Sequence, residues 1–180
     1  MKKVLCLALV LLCAAVVLAQ QSNSNPVSDS VRSMIDRQAK NMTAAAEEMP
    51  ADKYSYKPTP QQMSFAELVE HIAKGNQFYC SKLTTQAPPA MTVSEKDSKE
   101  KLVTAMKDSF TYCDTALKGV KDSQLGEEVS LFGGHKGPKA AALLGLTNGW
   151  ADHYGMASMY LRLNGLLPPT AKKTETASKE

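Results

Sequence analysis

The sequence predicts an all-α fold, a four-helix bundle over residues 28–169. Apolar residues recur at three- and four-residue steps in four separate stretches. Each of those stretches is closed by proline or glycine. No segment alternates polar and apolar residues with the β-branched enrichment of a strand. Four amphipathic helices joined by connections of roughly 10–20 residues bury their apolar stripes most simply against one another.

The elements follow in chain order. Met1-Lys2-Lys3, an apolar run from Val4 to Leu18, and Ala19 before a polar stretch have the parts of a Sec signal peptide over residues 1–19. That run is shorter than the roughly 20 residues that span a bilayer as a helix, so no stable membrane anchor is expected. Cys6 and Cys13 each follow a leucine, which does not suit a lipoprotein signal. The expected product is exported, to a periplasm or to the outside. Residues 20–27, rich in Gln, Ser and Asn, read as a flexible leader. The first helix runs from Ser28 to Glu48, with Val31, Met34, Ile35 and Met42 on one face, and Pro50 stops it. Pro58 and Pro60 keep the stretch 51–62 extended. A second helix begins near Ser64 with Glu67 as its capping-box partner, and carries Phe65, Leu68, Ile72, Tyr79 and Leu83. After Pro88-Pro89 a third helix is expected from Ser94 to Val120, on Leu102, Val103, Met106, Phe110, Cys113 and Leu117. Residues 121–137 form a longer link, and a fourth helix runs from Pro138 to Asn164, with Gly165 as its stop. Residues 170–180 have the composition of a disordered tail.

Charge and cysteine usage narrow the function classes. The chain has 21 Lys+Arg against 18 Asp+Glu, and losing Lys2 and Lys3 with the signal leaves a balance of +1. With no basic stripe, nucleic-acid binding is not expected. Cys80 and Cys113 remain, an even pair in an exported chain. A disulfide between them would tie two helices and contribute about 3–4 kcal/mol on the chain-entropy model. The alternative is a pair of inert buried thiols.

Two blocks carry more than composition. One is Tyr54-Ser55-Tyr56-Lys57-Pro58-Thr59-Pro60 followed by Met63-Ser64-Phe65-Ala66-Glu67-Leu68-Val69-Glu70-His71-Ile72-Ala73. The other is Asp152-His153-Tyr154-Gly155, then Tyr160-Leu161-Arg162-Leu163-Asn164-Gly165 and Pro168-Pro169. In order and spacing they resemble the DinB-like (YfiT-like) superfamily of metal-dependent helical bundles, from about Val31 to Pro169. The resemblance implies an up-down-down-up connection and, often, homodimers. It also implies a metal site with one histidine from the second helix and two, four residues apart, from the last. An i, i+4 pair projects from one helix face and can bind Zn²⁺ or Ni²⁺ through imidazole nitrogens. His71 matches the first ligand and His153 the second of the pair, but Gly149 stands where the first of the pair belongs.

Two other residues are candidates for the third ligand. Glu67 lies one turn before His71. His135 lies 18 residues before His153, ~27 Å away if the helix extended that far. Asp152, beside His153, should point elsewhere. Equally, His71 and His153 can simply face one another as a polar pair, with Trp150 and Tyr154 packing, and Tyr160 and Arg162 structural near the helix end. Some relatives are transferases or isomerases that use bacillithiol or mycothiol. Those thiols are cytoplasmic, which does not suit an exported domain. The leading expectation is an exported domain that binds a small ligand or a partner, with an incomplete metal site. The alternative is a divalent-metal-dependent hydrolase or transferase using His71 and His153. A purely structural dimer is a third class.

Overall fold

The computed structural model describes residues 25–172, so the signal-peptide assignment and residues 173–180 of the tail lie outside the described part. Among the described residues there are four α-helices: α1 (Pro26–Glu48), α2 (Phe65–Ser81), α3 (Lys99–Lys118) and α4 (Lys139–Leu163). α2 opens on the expected capping box. The Glu67 N–H donates to Ser64 Oγ at 3.1 Å and the Ser64 N–H to Glu67 Oε2 at 2.5 Å, satisfying two otherwise orphaned donors. α4 closes in a Schellman turn, with Gly165 at φ 74° and the Leu166 N–H donating to the Leu161 carbonyl at 2.9 Å.

Two starts differ from expectation. α1 begins at Pro26 rather than Ser28, because its cap comes from far along the chain. Asp122 accepts from the Val27 N–H at 2.9 Å, the Ser28 N–H at 2.8 Å and the Ser28 hydroxyl at 2.6 Å. α3 begins at Lys99, not Ser94. Ser94 instead heads a turn, its N–H donating to Asp97 Oδ2 at 2.8 Å, and Ser98 caps the helix. The helix ends at Lys118, and α2 ends at Ser81 with Leu83 buried just beyond it.

Cross-chain contacts define the topology. Between α2 and α3, Asn76 bonds Ser109 and Cys80 bridges Cys113, a constant offset of 33 residues, so these neighbours run parallel. α1 and α3 run antiparallel. Arg32, early in α1, donates to the Leu117 and Val120 carbonyls at the end of α3. Lys99, at the start of α3, donates to the Glu47 and Met49 carbonyls at the end of α1. α2 and α4 are also antiparallel, since His71 meets His153 and Tyr79 meets Gly145. The connection is therefore up-down-down-up. Parallel neighbours need a long crossover, and the stretch 82–98 supplies it.

The centre is filled, with Phe65, Leu68, Leu102, Met106, Leu146, Trp150 and Tyr160 each at most 2% exposed. Three polar side chains cross it. The Trp150 indole N–H donates to Asn76 Oδ1 at 2.8 Å, Asn76 Nδ2 to Ser109 Oγ at 3.1 Å, and the Ser109 hydroxyl to the Met106 carbonyl at 2.7 Å. This chain pins α2, α3 and α4 to each other. The Cys80–Cys113 disulfide is formed one turn away.

The link between α3 and α4, where no strand was expected, contains a two-stranded antiparallel hairpin. β1 (Glu128–Ser130) pairs with β2 (Lys136–Pro138), Val129 opposite Gly137. Its tip turns through Gly133 and Gly134, both at positive φ (69° and 76°), a conformation that favours glycine. The start of the supposed tail is also ordered: Pro169–Ala171 forms a short 3₁₀ turn, and Lys172 pairs with Glu48 of α1. Among the described residues, no helix is long and apolar enough to cross a membrane.

Candidate functional site

His71 sits midway along α2 and His153 midway along α4, and the antiparallel packing sets them side by side. Their ring centres are 4.8 Å apart at an interplanar angle of 83°, an edge-to-face contact. His71 is exposed and His153 half-buried. Burial, and next the proximity of His71, hold the His153 imidazolium below the usual histidine range, while Asp152 and a hydrogen bond to the Gly149 backbone partly offset them. His153 is therefore a neutral imidazole at neutral pH. Two imidazoles bound to one tetrahedral ion at about 2.0–2.1 Å would place their ring centres about 5 Å apart. The pair has the spacing of two ligands of one site.

Among the described residues, no third ligand joins them. At Gly149 a Cβ would stand 3.6 Å from Nδ1 and Cε1 of His153, so the face has room for a side chain but carries none. Glu67 is engaged at the helix start, its carboxylate bonded to the Ser64 N–H and paired with Lys57 Nζ at 3.0 Å. Those contacts, led by the Ser64 backbone bond, hold its pKa down to about 2. His135 lies on the exposed hairpin tip. The neighbouring Phe132 stacks on Phe78, seven residues beyond His71 and so about 10 Å further along α2. Among the described residues, no three His, Cys, Asp or Glu side chains converge to hold an ion. The residues present do not fit a metal centre with three protein ligands.

With this geometry in hand, the comparisons with known proteins are informative. The sequence model of the DinB superfamily matches residues 34–156, most of the folded region. The chain belongs to the DinB superfamily. Solved DinB-like structures share its fold. One from Bacillus subtilis is 23% identical with a TM-score of 0.62, over 81% of this chain and 99% of that one. Another, from Bacillus cereus, is 18% identical at 0.60, over 73% and 89%. A mutant of a mycothiol-dependent maleylpyruvate isomerase is 10% identical at 0.57, over 71% and 59%. No curated protein sequence matches the chain.

Other features of this DinB-superfamily domain surround the histidines. Trp150, expected as packing, does pack, but its indole also anchors Asn76. Tyr154, next to His153, donates from its hydroxyl to Thr170 Oγ1 at 2.9 Å and accepts from the Thr170 N–H at 3.1 Å. The segment after α4 is thus tied back across that helix. Tyr160 donates to the Met63 carbonyl at 2.6 Å, which fixes the entry to α2. The Phe78–Phe132 stack was invisible to sequence reading, because its partners are 54 positions apart on a helix and a hairpin tip.

Proposed function

We propose that this chain is an exported DinB-superfamily domain that binds a small ligand or a partner at the α2–α4 seam. His71 and His153 act there as a two-histidine half-site. The observation that supports this reading is the pair itself: two imidazoles at 4.8 Å, with bare Gly149 beside them and no third protein donor converging. Such a pair can hydrogen-bond an incoming group through its ring nitrogens, or share an ion whose remaining donors come from the ligand.

The second reading, a divalent-metal-dependent hydrolase or transferase using His71 and His153, is favoured by the same spacing, which suits Zn²⁺ or Ni²⁺. It demands a third protein ligand, and neither Glu67 nor His135 is placed to be one. The isomerase activity of the mycothiol-dependent neighbour does not transfer, since a likeness at 10% identity carries the fold alone.

Metal content of the purified mature protein, wild type beside His71→Ala and His153→Ala, tests the choice. On the binding-module reading, none of the three retains an ion after excess Zn²⁺ is offered and dialysed away. Close to one equivalent in the wild type, lost in both variants, would establish the metalloenzyme reading instead.

A further inference from the structure

At the end of the bundle away from the Ser64 cap, the last turns of α2 and α3, the hairpin and the start of α4 enclose a cleft of about 500 Å³. That lies within the range of small-molecule sites, about 300–1,000 Å³. It is separate from the histidines: its lining begins at Ser81, ten residues and nearly three helical turns beyond His71.

We propose that this cleft is a second binding site and that its ligand is a small organic acid held through one carboxylate. The charge of the walls decides the class. Lys82 and Lys139 line the cleft against Glu127 alone, 2 − 1 = +1. The Lys139 ammonium, on a side chain only 12% exposed, is matched by the Glu127 carboxylate at 2.6 Å. The excess is therefore Lys82, which has no carboxylate within 4 Å among the described residues. Its ammonium lies over the Phe78 ring, 4.7 Å from the centroid, and Phe78 is itself stacked on Phe132. A ring quadrupole attracts and orients an ammonium without removing its charge. Lys82 thus stands at the wall as a positioned cation that lacks a counter-ion. The helix ends do not supply one. Arg32 takes the Leu117 and Val120 carbonyls at the end of α3, and the negative end of α2 is offset by the positive start of α4.

The neutral groups of the cleft complete a carboxylate site. The Gln124 NH₂ and the hydroxyls of Thr85 and Ser130 make no hydrogen bond among the described residues. Thr84 Oγ1 accepts from the Gln86 N–H at 3.1 Å, which leaves its own proton to donate. An ionised carboxylate is a pure acceptor with two oxygens, and its single charge brings the cleft to neutrality. A phosphate dianion would leave it at 1 − 2 = −1. Leu83 and Val129 give the same wall an apolar strip for the carbon body of the acid.

The test is a titration of the ¹⁵N-labelled protein with butyrate and lactate, beside their neutral amides and inorganic phosphate, at fixed ionic strength and followed by amide shifts. At least one acid should shift residues in 81–85, 127–130 and 139 saturably, leaving 71 and 153 unmoved, while its amide does not. Lys82→Gln should weaken that binding about tenfold or more, the loss of one charge-assisted hydrogen bond, and Lys82→Arg should largely keep it. His71→Ala should not affect it, so failure here is separable from failure at the α2–α4 seam. No response to either acid, an equal response to the amides, a stronger response to phosphate, or unchanged affinity in Lys82→Gln would overturn the proposal.

Discussion

Replacing Gly149 with histidine should convert the half-site into a zinc site. The new side chain would leave α4 one turn before His153 on the same face, where a Cβ meets only His153 ring atoms, at an ordinary 3.6 Å. His71 already stands at ligand spacing from His153. The apo variant should be slightly more stable than the parent, by about 0.3 kcal/mol, since histidine is a better helix former than glycine. With Zn²⁺ at a hundred times its dissociation constant, binding linkage adds about 2.7 kcal/mol. For a domain of this size that raises the melting temperature by about 5–10 °C. Thermal unfolding monitored with and without Zn²⁺ measures it, with Gly149→His/His71→Ala and Gly149→Ala as controls that should show no zinc effect. A folded Gly149→His variant with no zinc-dependent shift, or a shift that survives His71→Ala, would refute the reasoning that the seam presents His71 and His153 as two ligands of one site.

Other perturbations test the frame. Cys80→Ala/Cys113→Ala should cost about 3–4 kcal/mol by the loop-entropy model, read from urea unfolding. A loss below about 1 kcal/mol would mean that the helix pairing already restrains the unfolded chain. Asn76→Ala leaves the buried Trp150 N–H unpaired and should cost about 2–4 kcal/mol, which the single tryptophan reports by fluorescence. Stability should fall as pH drops below about 6.5, because the unfolded chain protonates His153 more readily than the folded one. That slope should flatten in His153→Phe, and an unchanged slope would contradict the assigned environment. Asp122→Asn should lower the unfolding midpoint at neutral pH. Burial alone would raise the Asp122 pKa, but the Ser28 hydroxyl and the backbone N–H groups of Val27 and Ser28 outweigh it and hold it down. The difference between variant and parent should therefore vanish in acid, once the folded carboxylate is protonated.

The bundle was legible because its evidence is local. The period of Val31, Ile35 and Met42, the Ser64–Glu67 box and the Gly165 stop each reside within a few residues, and each holds in the structure. What escaped was non-local or short. The start of α1 depends on Asp122, more than 90 positions away, so no window around Ser28 could reveal it. Ser94 and Ser98 offer similar capping chemistry, and Asp97 decides between them by holding Ser94 in a turn. Strands of three residues leave no alternating pattern to detect. At the site, His71 and His153 were identified from the family resemblance, and helix packing then brought them together. The Trp150–Asn76 bond and the Tyr154–Thr170 tether around them required the fold.

The bridge between α2 and α3 has a consequence for what happens when the chain is cut. Cys80 and Cys113 flank the whole crossover, including the exposed stretch 85–90, so the chain between them is a closed covalent ring. A protease that clips this exposed stretch opens the ring without releasing a fragment. Both halves stay tethered across parallel helices whose register is already set, and they part only when the bridge is reduced.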